Sequence, residues 1–269
     1  MALDEKSSPI PKFHAMAWAH AVRVASGKNN SAIEVEFMGK DCCKVIDGRL
    51  KTPQLFPKYL KGVSAPIQKD SKCGGVAFVD RIEAKYPNTK WWLSCSLWKL
   101  LCEDKLKLSE IWKLMLSCKI KNQDDFFIPT ASNGLVRTGV VTRDKLIALE
   151  NSKSALDTLS FLIGLIREAE IRLDVRLHKM SVSTIVALIP RLNEEPIIKE
   201  FAGALFDFLE IKFFRVSYGL PDNGVEMVFP KSWRDIHSQT AKSVKGSIES
   251  ENSPSSYRSL FQTLNLNQL

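Results

Sequence analysis

The strongest hydrophobic periodicity of the chain begins at Ser152. "SKSALDTLSFLIGLIREAEIRLDVRLHKM" opens on serine and aspartate start signals, is rich in helix formers and carries a charged face in its second half, which predicts a helix. "SVSTIVALIPRLNEEPIIKEFAGALFDFLE" adds a helix ending near Pro190 and another starting at Pro196, where proline suits a first helical turn. Upstream the pattern differs. "AIEVEFMG" (residues 32–39) alternates apolar and acidic residues with a period of two, the mark of a half-buried strand. "GGVAFVDRI" (residues 74–82) reads as a buried strand, because Val76, Phe78 and Val79 favour strands and Gly74–Gly75 break what precedes them. Ile46-Asp47-Gly48 is a strand-turn signal, and residues 13–25 predict a short helix closed by "SGKNNS".

Residues 91–120 admit two readings. Leu93, Leu97, Leu100 and Leu101 fit helical spacing, as do Leu108, Ile111, Trp112, Met115 and Leu116, yet such short apolar runs also suit strands. "DDFFIPTASNGLVRTGVVTRD" sets turn residues between two apolar pieces and predicts strand or loop. Near the end, two apolar runs flank Pro221-Asp222-Asn223-Gly224, a β-hairpin pattern in which Asn-Gly supplies positive φ. The expected fold class is therefore α+β. It comprises an N-terminal arm and short helix (1–30), a β-rich core (31–150), a helical block plus hairpin (151–235) and a serine- and asparagine-rich disordered tail (236–269).

Composition changes this picture in one respect. Apolar and charged shares of 45% and 25% are those of a globular chain. The net charge of +8 directs attention to anionic partners such as RNA, DNA or an acidic membrane face. The six cysteines form no C-x-x-C pair and only four histidines exist, which argues against a structural zinc site and for reduced thiols. "MALDEKSSPIPKF" lacks the apolar run of a signal peptide, so no secretion is expected. No uninterrupted apolar segment reaches the roughly 20 residues a bilayer requires.

No catalytic motif emerges: the phosphate-binding, dinucleotide, nucleophile-elbow and zinc-protease patterns are all missing. No enzyme activity, cofactor, metal or small-molecule substrate is expected. Cations beside aromatic rings are more persistent. Lys58-Tyr59-Leu60-Lys61, Lys85-Tyr86, Lys90-Trp91-Trp92, Trp98-Lys99 and Trp112-Lys113 suit single-stranded nucleic acid, whose bases stack on rings while phosphates meet cations. Trp98 and Trp112, at helical spacing among leucines, read as core anchors. Trp91 and Trp92 are neighbours and cannot both point into one core. The candidate nucleic-acid-binding residues are Lys58, Lys61, Lys85, Lys90, Trp91 and Trp92. Arg167, Arg172, Arg176 and Lys179 lie near one helical face, but interleaved Glu168, Glu170 and Asp174 make it a solvated one.

"CGGVAFVDRIEAK" resembles the central strand of the plant-virus cell-to-cell movement protein superfamily of the tobacco mosaic type, a glycine-led apolar strand ending in an aspartate. The match is Val79-Asp80, with Gly134 following 54 positions later. "IWKLMLSCKIKNQD" resembles that family's tryptophan-bearing segment, and the resemblance spans about residues 33–145. It implies a β-sandwich core, sequence-tolerant binding of single-stranded RNA, association with membranes and intercellular channels, and transport of viral genomes between cells. Asp80 and Gly134 are then the motif residues. The alternative is a matrix-like or nucleocapsid-associated assembly protein bridging nucleoprotein and membrane, which suits a basic mixed body with a flexible tail. The expected partners are single-stranded RNA or nucleoprotein, with peripheral membrane contact and self-association as further options. The expected location is the host cytoplasm, cell junctions (plasmodesmata) or the membrane periphery.

Overall fold

Side-chain caps start the long helices where the sequence offers them. The Ser154 hydroxyl accepts from the Asp157 N–H at 3.1 Å and begins α9 (Ala155–Arg172). The Asp174 carboxylate accepts from the Leu177 N–H at 2.9 Å and begins α10 (Val175–Glu194). These two helices pack along each other and bury a nearly continuous aliphatic seam, including Leu159, Leu162, Ile163, Ile166, Ile185 and Ile189. Pro190 does not end α10, which runs on to Glu194.

A computed structural model describes residues 8–39, 43–46, 49–67, 77–102, 105–129, 135–137, 140–219 and 225–227. The chain divides into two compact units, residues 1–205 and 206–269. In the first unit α1 (Ile10–Ser26) and α2 (Asn30–Met38) are followed by a ribbon of β1 (Lys44–Ile46) and β2 (Arg49–Lys51). Four short helices come next: α3 (Leu55–Leu60), α4 (Phe78–Lys85), α5 (Trp91–Ser94) and α6 (Ser96–Leu101). Then α7 (Leu108–Leu116), a second ribbon of β3 (Phe127–Pro129) and β4 (Leu135–Arg137), and α8 (Arg143–Glu150) lead into α9 and α10. Helix α11 (Ala202–Leu209) carries the chain into the second unit, where a π turn (Glu210–Phe214) precedes β5 (Ser217–Gly219) paired with β6 (Val225–Met227). Phe206, Leu209, Phe213 and Phe214 are buried.

The protein is thus mainly helical, and the expected α+β class with a β-rich core over residues 31–150 is corrected. Strand is confined, among the described residues, to three two-stranded antiparallel ribbons. Two misread segments carry the correction. Residues 30–38 form α2 because the Asn29 side chain caps the Ala32 N–H at 2.9 Å, placing Ile33 and Phe37 one turn apart in the core. The alternation arose because Glu34 is buried too: its carboxylate accepts from the Phe56 N–H at 2.6 Å and the Gln54 N–H at 3.1 Å, satisfying the start of α3. Residues 78–85 form α4, with Phe78, Val79 and Ile82 on its buried side. The segment 91–120, open to both readings, is helical in α5, α6 and α7. The ribbons at Lys44–Lys51 and Phe127–Arg137 and the C-terminal pair stand where turn signals pointed. Gly74, Gly75, Val76 and the tail after residue 235 lie outside the described residues.

Two clusters build the first unit. Around Trp18 of α1, the rings of Phe56, Tyr59 and Phe78 lie 5.7–6.1 Å away at tilted or edge-on angles. Helices α6 and α7 lie on α9, and α7 approaches it closely. A Cβ at Gly164 would stand 2.4 Å from Met115 Cγ, so any larger residue there would push the Met115 side chain of α7 out of its present seat. Four residues further along α9, the fully buried Glu168 receives the Arg137 guanidinium of β4, the Arg172 guanidinium at 2.9 Å and the Trp112 Nε1–H at 3.1 Å. Replacing Glu168 with Ala should cost about 3–5 kcal/mol in urea unfolding, because it strands Arg137 as a buried charge. Arg191 of α10 donates both to the Glu150 carbonyl and, at 2.5 Å, to the Ser152 carbonyl, closing the end of α8. The Glu150 carboxyl beside it is left in an apolar setting, and burial pushes it up from 4.5 to about 7, against the opposing pull of Arg143 and Arg191. The folded form therefore holds this proton more tightly than the unfolded chain, so its stabilisation is present near pH 4 and is lost as pH rises through 7. Glu150→Gln should match the parent at pH 4 and exceed it by about 1–2 kcal/mol at pH 8, the full shift being discounted for partial solvent contact.

Candidate functional site

The sequence candidates fall on two separate edges of the Trp18 cluster. On the first, α4 ends in a tight turn organised by Glu83. Its carboxylate accepts from the Lys90 N–H at 2.6 Å, the Asn88 N–H at 2.7 Å and the Thr89 hydroxyl at 2.9 Å. Burial pushes the Glu83 carboxyl up, but these backbone and hydroxyl donors together outweigh it and hold it below the usual range. The turn delivers α5, and with it Trp91 and Trp92. Their rings meet edge to face with centroids 5.2 Å apart. Trp92 is half-buried against the Trp18 cluster, and its carbonyl accepts from the Trp98 indole N–H at 2.6 Å. Trp91 is 41% exposed. Neighbouring tryptophans do divide between core and surface, as adjacency requires.

The cations on this edge are compensated. The Lys90 ammonium pairs with Asp80 at 2.5 Å. Lys85 pairs with Glu36, which Lys28 also reaches at 3.0 Å and Tyr86 meets with its hydroxyl at 3.3 Å. The Lys85 ammonium foremost, then Lys28, holds the Glu36 carboxyl below its ordinary value. Asp80 stands in the first turn of α4, half-exposed, rather than at the end of a strand. Its role there is to hold Lys90 and to favour the helix start. Gly134 lies outside the described residues.

The second edge is α3. Lys58 and Lys61, three residues apart, are both exposed and make no ion pair among the described residues. Gly62, at φ 64°, follows them and lies against Lys12 of α1. An added Cβ would sit 2.9 Å from Lys12 Cβ and 3.0 Å from its carbonyl oxygen, so only glycine fits there. That contact brings Lys12 beside Lys61. No described contact joins this edge to Lys85, Lys90, Trp91 or Trp92.

A third basic surface carries Lys99 and Lys113, whose neighbouring tryptophans read as core anchors in the sequence. Helices α6 and α7 form an antiparallel hairpin lying on α9, tied where the Ser96 and Ser117 hydroxyls meet at 2.5 Å. Lys99, one turn past Ser96, and Lys113, one turn before Ser117, emerge on the exposed side. Lys105 and Lys107 extend this surface at the closed end, Lys119 and Lys121 at the open end, and all six are exposed. None makes an ion pair among the described residues. The rings beside these lysines serve packing. Trp98 is buried against the His14 ring, with centroids 5.0 Å apart, and Trp112 is anchored on Glu168 beneath the Arg172 guanidinium. The discoverable signal was charge imbalance: residues 99–121 carry six lysines against Glu103, Asp104 and Glu110. Of the arginine set, Arg167 donates to the Leu100 carbonyl at 3.0 Å and also to the Cys102 carbonyl, closing the end of α6, and Arg172 pairs with Glu168.

Two of the described cysteines are deeply buried. Burial pushes the Cys95 and Cys118 thiols up to about 12, the opposite of what a reactive thiolate needs. Burial lowers His14 and His20 from their ordinary values. Among the described residues no three metal-ligating side chains converge, and no helix is long and apolar enough to cross a membrane. The chain matches no protein-family model, no curated protein and no solved structure.

Proposed function

We propose that the protein binds single-stranded RNA, free or as nucleoprotein, through the lysine face of the α6–α7 hairpin. The observation that carries this reading is the row of six exposed lysines, uncompensated among the described residues, on a rigid two-helix platform. Lysine ammoniums meet phosphates as point charges rather than as the bidentate forks that read base edges. Binding of this kind tracks the backbone and tolerates sequence. The half-exposed Trp91, one short helix upstream of α6, supplies a ring on which a base can stack, while Lys58 and Lys61 add charge on a separate edge. Lys85 and Lys90 contribute less, because Glu36 and Asp80 already neutralise them.

Affinity for a labelled oligouridylate and for a mixed-sequence RNA should be similar and should fall steeply with salt. A log–log slope of about −2 to −4 is expected if three to six phosphates are neutralised. The double substitution Lys99→Glu and Lys113→Glu should weaken both RNAs by about tenfold or more and flatten the slope by about 1–2. Binding that is indifferent to salt, or unchanged in the double variant, removes the assignment. Transport of viral genomes between plant cells, from the cytoplasm to cell junctions, is the finer form of this reading that the resemblance around Asp80 implies. A fluorescently tagged chain should then gather at the junctions of plant epidermal cells, and a diffuse or nuclear signal counts against it.

A further inference from the structure

Leu173 combines a strained backbone with an exposed apolar side chain. It is the residue that ends α9, with φ 56° and ψ 34°, a left-handed conformation that glycine or asparagine adopts with far less strain. It is also 74% exposed, the most exposed large apolar side chain among the described residues. A strained backbone position that additionally offers an aliphatic side chain to solvent points to a use at the surface.

Four further aliphatic residues are exposed at the same end of the first unit. On the β3–β4 ribbon the buried face carries Phe127 opposite Arg137, and the outer face carries the cross-strand pair Ile128 and Val136. The ribbon is fastened to the end of α9 by Arg137 on Glu168. Val140, 69% exposed, follows the ribbon and lines a cleft of about 190 Å³ together with Arg137, Asp174, Arg176, Leu177 and Met180. Ile171 is exposed on the last turn of α9.

A basic collar surrounds them. Helix α7 runs antiparallel to α9, since Met115 lies at Gly164 and Trp112 at Glu168. The start of α7 therefore lies beside the end of α9, bringing Lys105 and Lys107 toward Arg172 and Arg176. The nearby described carboxylates are committed within the fold. Asp174 caps the Leu177 N–H, Glu110 accepts from the Lys107 N–H at 2.8 Å, and Glu170 pairs with Arg167 at 3.4 Å. Glu103 and Asp104 lie outside the described residues.

We propose that this end of the unit, with Leu173 and Val140 at its tip, docks on an anionic lipid bilayer. Aliphatic side chains projecting from a turn and a ribbon enter the acyl boundary, while the lysines and arginines behind them meet lipid phosphates. A second copy of the chain fits less well, because a twofold contact here would set Arg172, Arg176, Lys105 and Lys107 against their own counterparts. A protein groove is also less suited, since the exposed set lacks the tryptophan and tyrosine anchors that dominate such contacts. The proposal shares Lys105 and Lys107 with the RNA-binding reading, but its apolar tip, Leu173 and Val140, has no part in that reading and can be tested separately.

The test is co-sedimentation of the full chain with vesicles of phosphatidylcholine and phosphatidylserine, and with phosphatidylcholine alone. Binding is expected only to the anionic vesicles and should decline with salt. Leu173→Gly relieves the left-handed strain, so it should melt no lower than the parent and keep its affinity for RNA. Its affinity for anionic vesicles should drop about tenfold, as should that of Val140→Ser. The proposal is overturned if the parent ignores anionic vesicles, if it binds neutral ones equally, or if Leu173→Gly binds them like the parent. It is overturned in favour of self-association if sedimentation equilibrium finds a dimer that Leu173→Gly dissolves.

Discussion

The buried carboxylate of Glu168 is the interaction around which the first unit is organised. A single fully buried acid near the end of α9 holds guanidiniums from β4 and from its own helix, together with an indole N–H from α7. A charge so placed is tolerable only when its partners are all in position. The arrangement therefore fixes the ribbon, the α7 register and the end of α9 at once. Gly164, four residues earlier, sets how closely α7 approaches, and Arg167 closes the end of α6. Charged residues that read as a solvated face thus include the anchors of the packing.

That anchoring gives the surface its character. With α6 and α7 both lying on α9, the hairpin is committed on one side, and the lysines of its other side make no ion pair among the described residues. Opposite-charge compensation is spent elsewhere, on Glu36 with Lys28 and Lys85 and on Asp80 with Lys90. Among the described residues the positive charge is consequently uneven, and the hairpin lysines carry it without an ion pair. The tip of the unit shows the complementary effect. Apolar side chains left outside the core, Leu173 and Val140 among them, stand near cations there.

Legibility varied with the length of the pattern. The periodicity after Ser152 is long, and α9 begins where it began, but the turn at Leu173 and the Asp174 cap divide a run that read as one helix, and α10 passes Pro190 to Glu194. Short windows misled. Ile33-Glu34-Val35-Glu36-Phe37 alternates, yet Ile33 and Phe37 are also one helical turn apart, and Glu34 is in the core for a reason no local pattern contains: the distant N–H groups of Gln54 and Phe56. Phe78-Val79 looked like a strand end because its helical partner Ile82 falls beyond the apolar run. Among the site candidates, adjacency alone was enough to divide Trp91 from Trp92. The pairing of Lys85 with Glu36, 49 residues away in the chain, was beyond the reach of any window.

What the sequence determined by itself was therefore local or summed: the helix-forming block, the caps, the turn positions of the ribbons, the thiol and histidine count and the net positive charge. These depend on neighbours within a turn or on composition, both of which can be read directly. The tertiary structure decided which charges are neutralised, which tryptophans are anchors, and that the apparent strands at 32–39 and 74–82 contribute helices instead. It also decided that Leu173 is exposed in a left-handed turn among cations. Those outcomes depend on contacts between residues far apart in the chain, where burial and charge pairing outweigh local propensity.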